Sequence, residues 1–153
     1  MNRRSFLAPA ILLPLLAFGC AAPPPPPPEL DLAITAGADQ NPDAAGHASP
    51  VKIFIYQLAS GAKFERADVF ALTERDKATL GEDLLASDAI VVAPGEQRSV
   101  KKQLKTGTQV LGVVVLFRDI DHATWRQMAK VAVSGTTALK LTTKGITATL
   151  APR

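Results

Sequence analysis

Residues 30–58 read LDLAITAGADQNPDAAGHASPVKIFIYQL. The two ends of this stretch decide the fold class. Leu30, Leu32 and Ile34 alternate with Asp31, Ala33 and Thr35, the period-two pattern of a strand with one face in a core and one in water. Residues 51–58, VKIFIYQL, are β-branched and aromatic and read as a second strand. Between them, residues 37–50 hold two glycines, two aspartates, an asparagine and two prolines. That composition predicts an ordered or semi-ordered loop. It is long for a link between neighbouring strands, where a few residues usually suffice.

The same two signals recur downstream. Residues 89–93 are apolar and stop at Pro94-Gly95, a turn. Val100 and Leu104 alternate with lysines, as in a strand at an exposed edge, which accounts for the Lys101, Lys102 and Lys105 cluster as a solvated edge. Residues 110–117, VLGVVVLF, are apolar throughout and predict a central strand buried on both faces. Residues 125–133 predict another strand. Residues 139–141 and 146–150, around Lys144-Gly145, form a terminal hairpin. Only residues 63–85 break the pattern. Phe64, Ala67, Phe70 and Ala71 recur at helical spacing, Thr73 and Asp76 resemble a capping box, and Gly81 could end the turn with Leu84 and Leu85 packed beneath it. We expect one or two short helices there, capping an open sheet edge. Seven or eight short strands with such an insert between the second and third predict an all-β sandwich. There is no internal repeat.

Side chains suited to catalysis are sparse. The chain has two histidines and one cysteine. Asp119, Asp121 and His122 form the best metal-like cluster, but a polar turn explains DIDH equally, and a zinc site needs three or four converging ligands. Asp39, Asn41 and Asp43 have the one-three-five spacing of a calcium loop. Ala44 stands where that motif needs glycine and Pro50 where it needs glutamate, so turn chemistry is the better reading. Ser99 and Ser134 lie in no nucleophile elbow. No phosphate-binding glycine loop is present. The sequence therefore points to a binding protein, with residues 37–50 as its first candidate surface.

The N-terminal residues say where the domain works. Asn2-Arg3-Arg4 is a short positive segment, and residues 6–18 are almost wholly apolar. Gly19 precedes Cys20, the only cysteine. This is a secretory signal layout, about a dozen apolar residues long, short of the roughly 20 that a spanning helix needs. Leu16-Ala17-Phe18-Gly19-Cys20 resembles a bacterial lipobox, in which the cysteine becomes the first mature residue and carries lipid. The alternative is an ordinary signal cut elsewhere, leaving a free thiol. Arg3-Arg4-Ser5-Phe6-Leu7 also resembles a twin-arginine signal, so a general and a twin-arginine route both fit. Residues 1–19 are thus expected to be removed. Residues 20–29 form a lipidated tether, in which Pro23 to Pro28 make a stiff polyproline spacer of roughly 20 Å. Residues 30–153 form the folded domain. Several acyl chains would hold such a protein stably on a membrane. Ala21, in place of the aspartate that in such lipoproteins tends to mean inner-membrane retention, points to the outer membrane, facing the periplasm. Arg3 and Arg4 account for two of the formal +3 charges, leaving about +1 beyond the signal. No basic, aromatic-rich face remains to favour nucleic acid.

Residues 30–58, together with the order of segments that follows, carry a resemblance: FERADVFAL at 64–72, TLGEDL at 79–84, PGE at 94–96 and FRDID at 117–121. From Leu30 to about Arg126, and in its lipoprotein start, the chain resembles the type VI secretion system outer-membrane lipoprotein family, TssJ. The resemblance implies a transthyretin-like β-sandwich with a small helical addition, no catalysis and no cofactor beyond the covalent lipid on Cys20. It implies anchoring of the envelope-spanning secretion complex to outer-membrane lipid by binding the periplasmic C-terminal region of the inner-membrane component TssM. It places Asp39, Asn41, Pro42, Asp43, Gly46, His47 and Ser49 at that contact, with Pro42 and Gly46 shaping the loop. Two rivals are a generic carrier or sensor lipoprotein binding a small periplasmic ligand and a periplasmic enzyme or metal protein using Asp119, Asp121 and His122.

Overall fold

A computed structural model describes residues 22–153. The signal segment and Cys20 lie outside the described residues. The eight strands are β1 (Pro28–Ala36), β2 (Val51–Leu58), β3 (Leu84–Val92), β4 (Gln97–Gln103), β5 (Val110–Leu116), β6 (Arg126–Lys130), β7 (Gly135–Lys144) and β8 (Thr147–Pro152). They form two sheets, ordered β4-β1-β7-β8 and β3-β2-β5-β6. Leu30, Leu32 and Ile34 of β1 and Leu139 and Leu141 of β7 pack against Ile53 and Ile55 of β2 and Leu111, Val113 and Val115 of β5. This is a β-sandwich, as the alternation in β1 predicts.

The second sheet is buried on both sides. The outward residues of β2 and β5, including Tyr56, Leu58 and Val114, meet Phe64, Val69, Leu72 and Leu80 of the insert. The insert folds as α1 (Ala62–Arg66), α2 (Val69–Glu74), α3 (Asp76–Leu80) and a 3₁₀ turn at Gly81–Asp83. It covers a sheet face, where an edge cap was expected. The reason lies in β5: an all-apolar strand has a second face that must also leave water. Gly112 permits the contact. A Cβ there would stand 2.8 Å from Phe64 Cζ and 3.1 Å from Leu58 Cδ1. Two polar ties hold the insert down. The Tyr56 hydroxyl donates to the Leu72 carbonyl at 2.8 Å, and burial pushes its pKa well up. Arg126 Nη1 donates to the carbonyls of Phe64 and Ala67 at 2.9 and 2.7 Å, satisfying the end of α1.

Some boundaries differ from expectation. β1 opens at Pro28, whose carbonyl accepts from Leu104 N at 2.8 Å; a strand's first residue tolerates proline. β3 starts at Leu84, because residues 84–88 pair with β2; Leu84 still packs against the insert. β6 ends at Lys130, and Val133 is exposed. Asp68, rather than Thr73, caps a helix: its side chain accepts from Ala71 N at 2.8 Å, while the Thr73 hydroxyl donates back to Val69 O. β4 is an edge strand, as its lysines predict, with Lys102 paired to Asp88.

Strand parity fixes what lies at each end. β1 and β7 run parallel, and every other paired neighbour is antiparallel. Gln40 and Asn41 bond to Val92, Arg118 and Gly145 across the two sheets, so the β1–β2, β3–β4, β5–β6 and β7–β8 connections share one end. The chain enters β1 at the other, nine residues away, about 30 Å at strand rise. Gly112→Ala is expected to destabilise the protein by about 1–3 kcal/mol through overpacking against Phe64, read as a lowered urea midpoint with unchanged slope.

Candidate functional site

The 37–50 loop has a buried half and a presented half. Gln40 is fully buried. Its Nε2 donates to Val92 O at 2.9 Å, and its Oε1 accepts from the Thr143 hydroxyl at 2.6 Å. Asn41 is 4 % exposed and sits at φ +50°, a left-handed conformation that asparagine tolerates. Its backbone N–H donates to Gly145 O at 2.7 Å and its Nδ2 to Pro50 O at 2.9 Å. Its Oδ1 accepts from Arg118 N at 2.7 Å. One residue thus binds the loop to the β5–β6 loop and to the β7–β8 turn.

The presented half closes on Asp43. Its Oδ1 accepts from Ala45 N and His47 N at 2.9 and 2.8 Å, its own N–H donates to His47 O at 2.9 Å, and Gly46 N donates to Asp43 O at 3.0 Å. Gly46, at φ +84°, supplies the turn that L side chains disfavour. The His47 N–H, more than any other group, holds the Asp43 carboxyl below its usual pKa. His47 Nδ1 lies 3.2 Å from Asp43 Oδ2, with the imidazole 80 % exposed. Pro42 enters this turn half-buried, Ser49 leaves it with its N–H bonded to Gln40 O, and Asp39 is exposed on the other side. The structure therefore presents Asp43, Gly46 and His47 as one knuckle, sets Asp39 apart, and turns Asn41 inward.

The metal-like clusters do not assemble. Asn41 Oδ1 faces a backbone N–H and Asp43 Oδ1 its own turn, so the one-three-five oxygens share no centre. His122 Nδ1 lies 2.7 Å from Asp119 Oδ1. Among the described residues no three His, Cys, Asp or Glu side chains gather as metal ligands. Sequence reasoning missed Gln40 and Arg118. Gln40 carries no charge or turn signal to mark it, and Arg118 reads as one polar residue in a loop. Arg118 and Asp119 line an open furrow with Pro42, Asp43, Ala44 and Ile146. A second open furrow on the far side of Gly145 holds Asp39, Lys144 and threonines of β7 and β8.

The family described as T6SS-SciN, type VI secretion lipoprotein, with VasD, EvfM and TssJ among its names, matches residues 28–145. The chain belongs to the type VI secretion lipoprotein family. It is 38 % identical to the T6SS lipoprotein TssJ1 from Pseudomonas aeruginosa, with a TM-score of 0.81 over 84 % of this chain and 98 % of that one. It is 30 % identical to a chain of a type VI membrane complex, with a TM-score of 0.74 over 82 % of this chain and 98 % of that one. It also matches a chain in the structure described as the T6SS protein TssM C-terminal domain from EAEC, at 27 % identity and a TM-score of 0.66, over 82 % of this chain and 99 % of that one. No curated protein matches it. The type VI secretion lipoproteins are structural components of the system and not enzymes. Among the described residues of this member, no helix is long and apolar enough to cross a membrane.

The Asp119 hydrogen bond raises the His122 pKa, with Asp119 and Asp121 charges adding to it. The protonated imidazole is thus favoured to a higher pH than in a free histidine. An NMR titration is expected to place the His122 midpoint above the ordinary value, and Asp119→Asn to bring it back down.

Proposed function

We propose that the protein anchors the type VI secretion envelope complex to the outer membrane by docking its Asp43–His47 knuckle on the periplasmic C-terminal region of a TssM-like inner-membrane protein. In this reading residues 1–19 are cleaved, Cys20 carries the lipid, and the residues that follow it form the tether to a folded domain that begins with β1 at Pro28. The observation that carries it is positional. The knuckle is exposed, tied down from beneath, and sits at the end of the sandwich opposite the tether. A lipid-held domain would present that end across the periplasm.

Preorganisation lowers the entropic cost of docking. A fourteen-residue loop free in solution would lose entropy on binding. Here Gln40, Asn41 and the Asp43 turn have already fixed it. Asp39, Asp43, His47 and Ser49 would make the polar contacts, with Pro42 and Gly46 holding their shape and Asn41 acting from below. The match to a chain in the EAEC TssM structure supports the partner's identity. That chain is about as long as this domain and shorter than the TssM stretch 869–1107, so we read it as a companion of the TssM domain.

Titration of the full-length lipidated protein in detergent against the TssM-like periplasmic region tests this. Saturable binding is expected, lost when residues 39–47 are replaced by glycine and serine. Binding that survives the replacement would move the interface elsewhere; no binding by the unaltered protein would refute the anchoring reading.

A further inference from the structure

We infer that Arg118, on the β5–β6 loop, is the charged specificity residue of the docking face and receives a carboxylate from the TssM-like partner. This deepens the reading above and rests on it. The knuckle does not stand alone: Asn41 Oδ1 fixes the Arg118 backbone N–H at 2.7 Å, so the two loops move as one body. Arg118 is exposed and lines the furrow whose other walls are Pro42, Asp43, Ala44, Asp119 and Ile146.

The charges along that furrow are unequal in one respect. Asp43 is engaged by two backbone N–H groups of its own turn and by His47, and Asp119 by His122. Among the described residues, the Arg118 guanidinium makes no hydrogen bond and no ion pair. Each acid already has a histidine partner, and the Arg118 charge stands near enough to Asp43 to help lower its pKa, yet the five guanidinium donors form no hydrogen bond and remain open to an incoming group. A guanidinium fork matches a carboxylate in two parallel bonds. Pro42, Ala44 and Ile146 supply apolar surface beside it. The complementary partner segment therefore carries an aspartate or glutamate next to an apolar side chain. A basic partner segment would have to compete with His47 and His122 for the two carboxylates that line this furrow.

The test uses the same detergent-solubilised protein and the TssM-like periplasmic region, comparing Arg118→Ala, Arg118→Lys and Arg118→Glu with the unaltered chain. Lys140→Glu, on the exposed outer side of β7, serves as a charge control. The Arg118 tie to Asn41 runs through its backbone, so the substitutions leave it in place, and unchanged circular dichroism and melting would confirm that. Arg118→Glu is expected to weaken binding at least about tenfold, Arg118→Ala less, and Arg118→Lys least. Arg118→Ala should also flatten the salt dependence of association. Lys140→Glu should bind as the unaltered chain does. Arg118→Glu binding within about twofold of the unaltered protein would overturn the inference and leave the anchoring reading intact. Equal weakening by Lys140→Glu would also overturn it, since a general field would then be responsible. No binding by the unaltered chain would remove both.

Discussion

The two-sided burial of β2 and β5 is the constraint on which the rest of the molecule depends. One face of each closes the sandwich core, and the other needs a cover that a second sheet cannot provide. The chain supplies it immediately after β2, with helices too short to persist alone. They hold because Phe64 lies against the flat backbone at Gly112 and because Tyr56 and Arg126 satisfy carbonyls that would otherwise be stranded. With the insert committed to this role between β2 and β3, it occupies a different connection from the 37–50 loop. The opposite end is left to three shorter connections and that one long loop.

That opposite end is built for rigidity. Gln40 and Asn41 are polar side chains in positions that would suit apolar ones by burial alone, and each has its polar atoms paired. A half-satisfied pair there would destabilise the fold, so the bonds enforce a single arrangement. The result joins the β1–β2 loop to Val92, Arg118, Thr143 and Gly145, one from each neighbouring connection or strand end. In the proposed anchoring, a domain held to lipid from its N-terminal side, with a stiff knuckle at the other end, would act as a tether with little slack. The final prolines add to this: Pro26 O accepts from Gly135 N at 3.3 Å and Pro28 O from Leu104 N, so the spacer ends docked on the sandwich.

Much of this was legible in the residue order. Period-two alternation in β1 and the apolar run in β5 announced a half-buried and a doubly buried strand, because side-chain period and burial are local consequences of strand geometry. The break in period at 63–85 announced the insert. Its docking face was hidden, since nothing local distinguishes a cover for a sheet edge from a cover for a sheet face. The loop was visible by composition, but the division of labour within it was not. Asn41 looked like Asp39 and Asp43, a polar residue in a turn. Only its long-range partners, Arg118 and Gly145, turn it into an internal strut. Gln40 and Arg118 escaped notice for the same reason: their roles come from contacts distant in sequence.

The central claim is that the knuckle docks because it is held, and the most direct measurement removes the strut while leaving the exposed surface alone. Asn41→Ala would be titrated against the TssM-like periplasmic region, with amide exchange at Ala45, His47 and Arg118 followed in the free protein. Faster exchange together with an affinity reduced by about tenfold or more is expected, since the partner must then order the loop itself. Faster exchange with unchanged affinity would contradict the claim and show that docking does not depend on the loop being held beforehand.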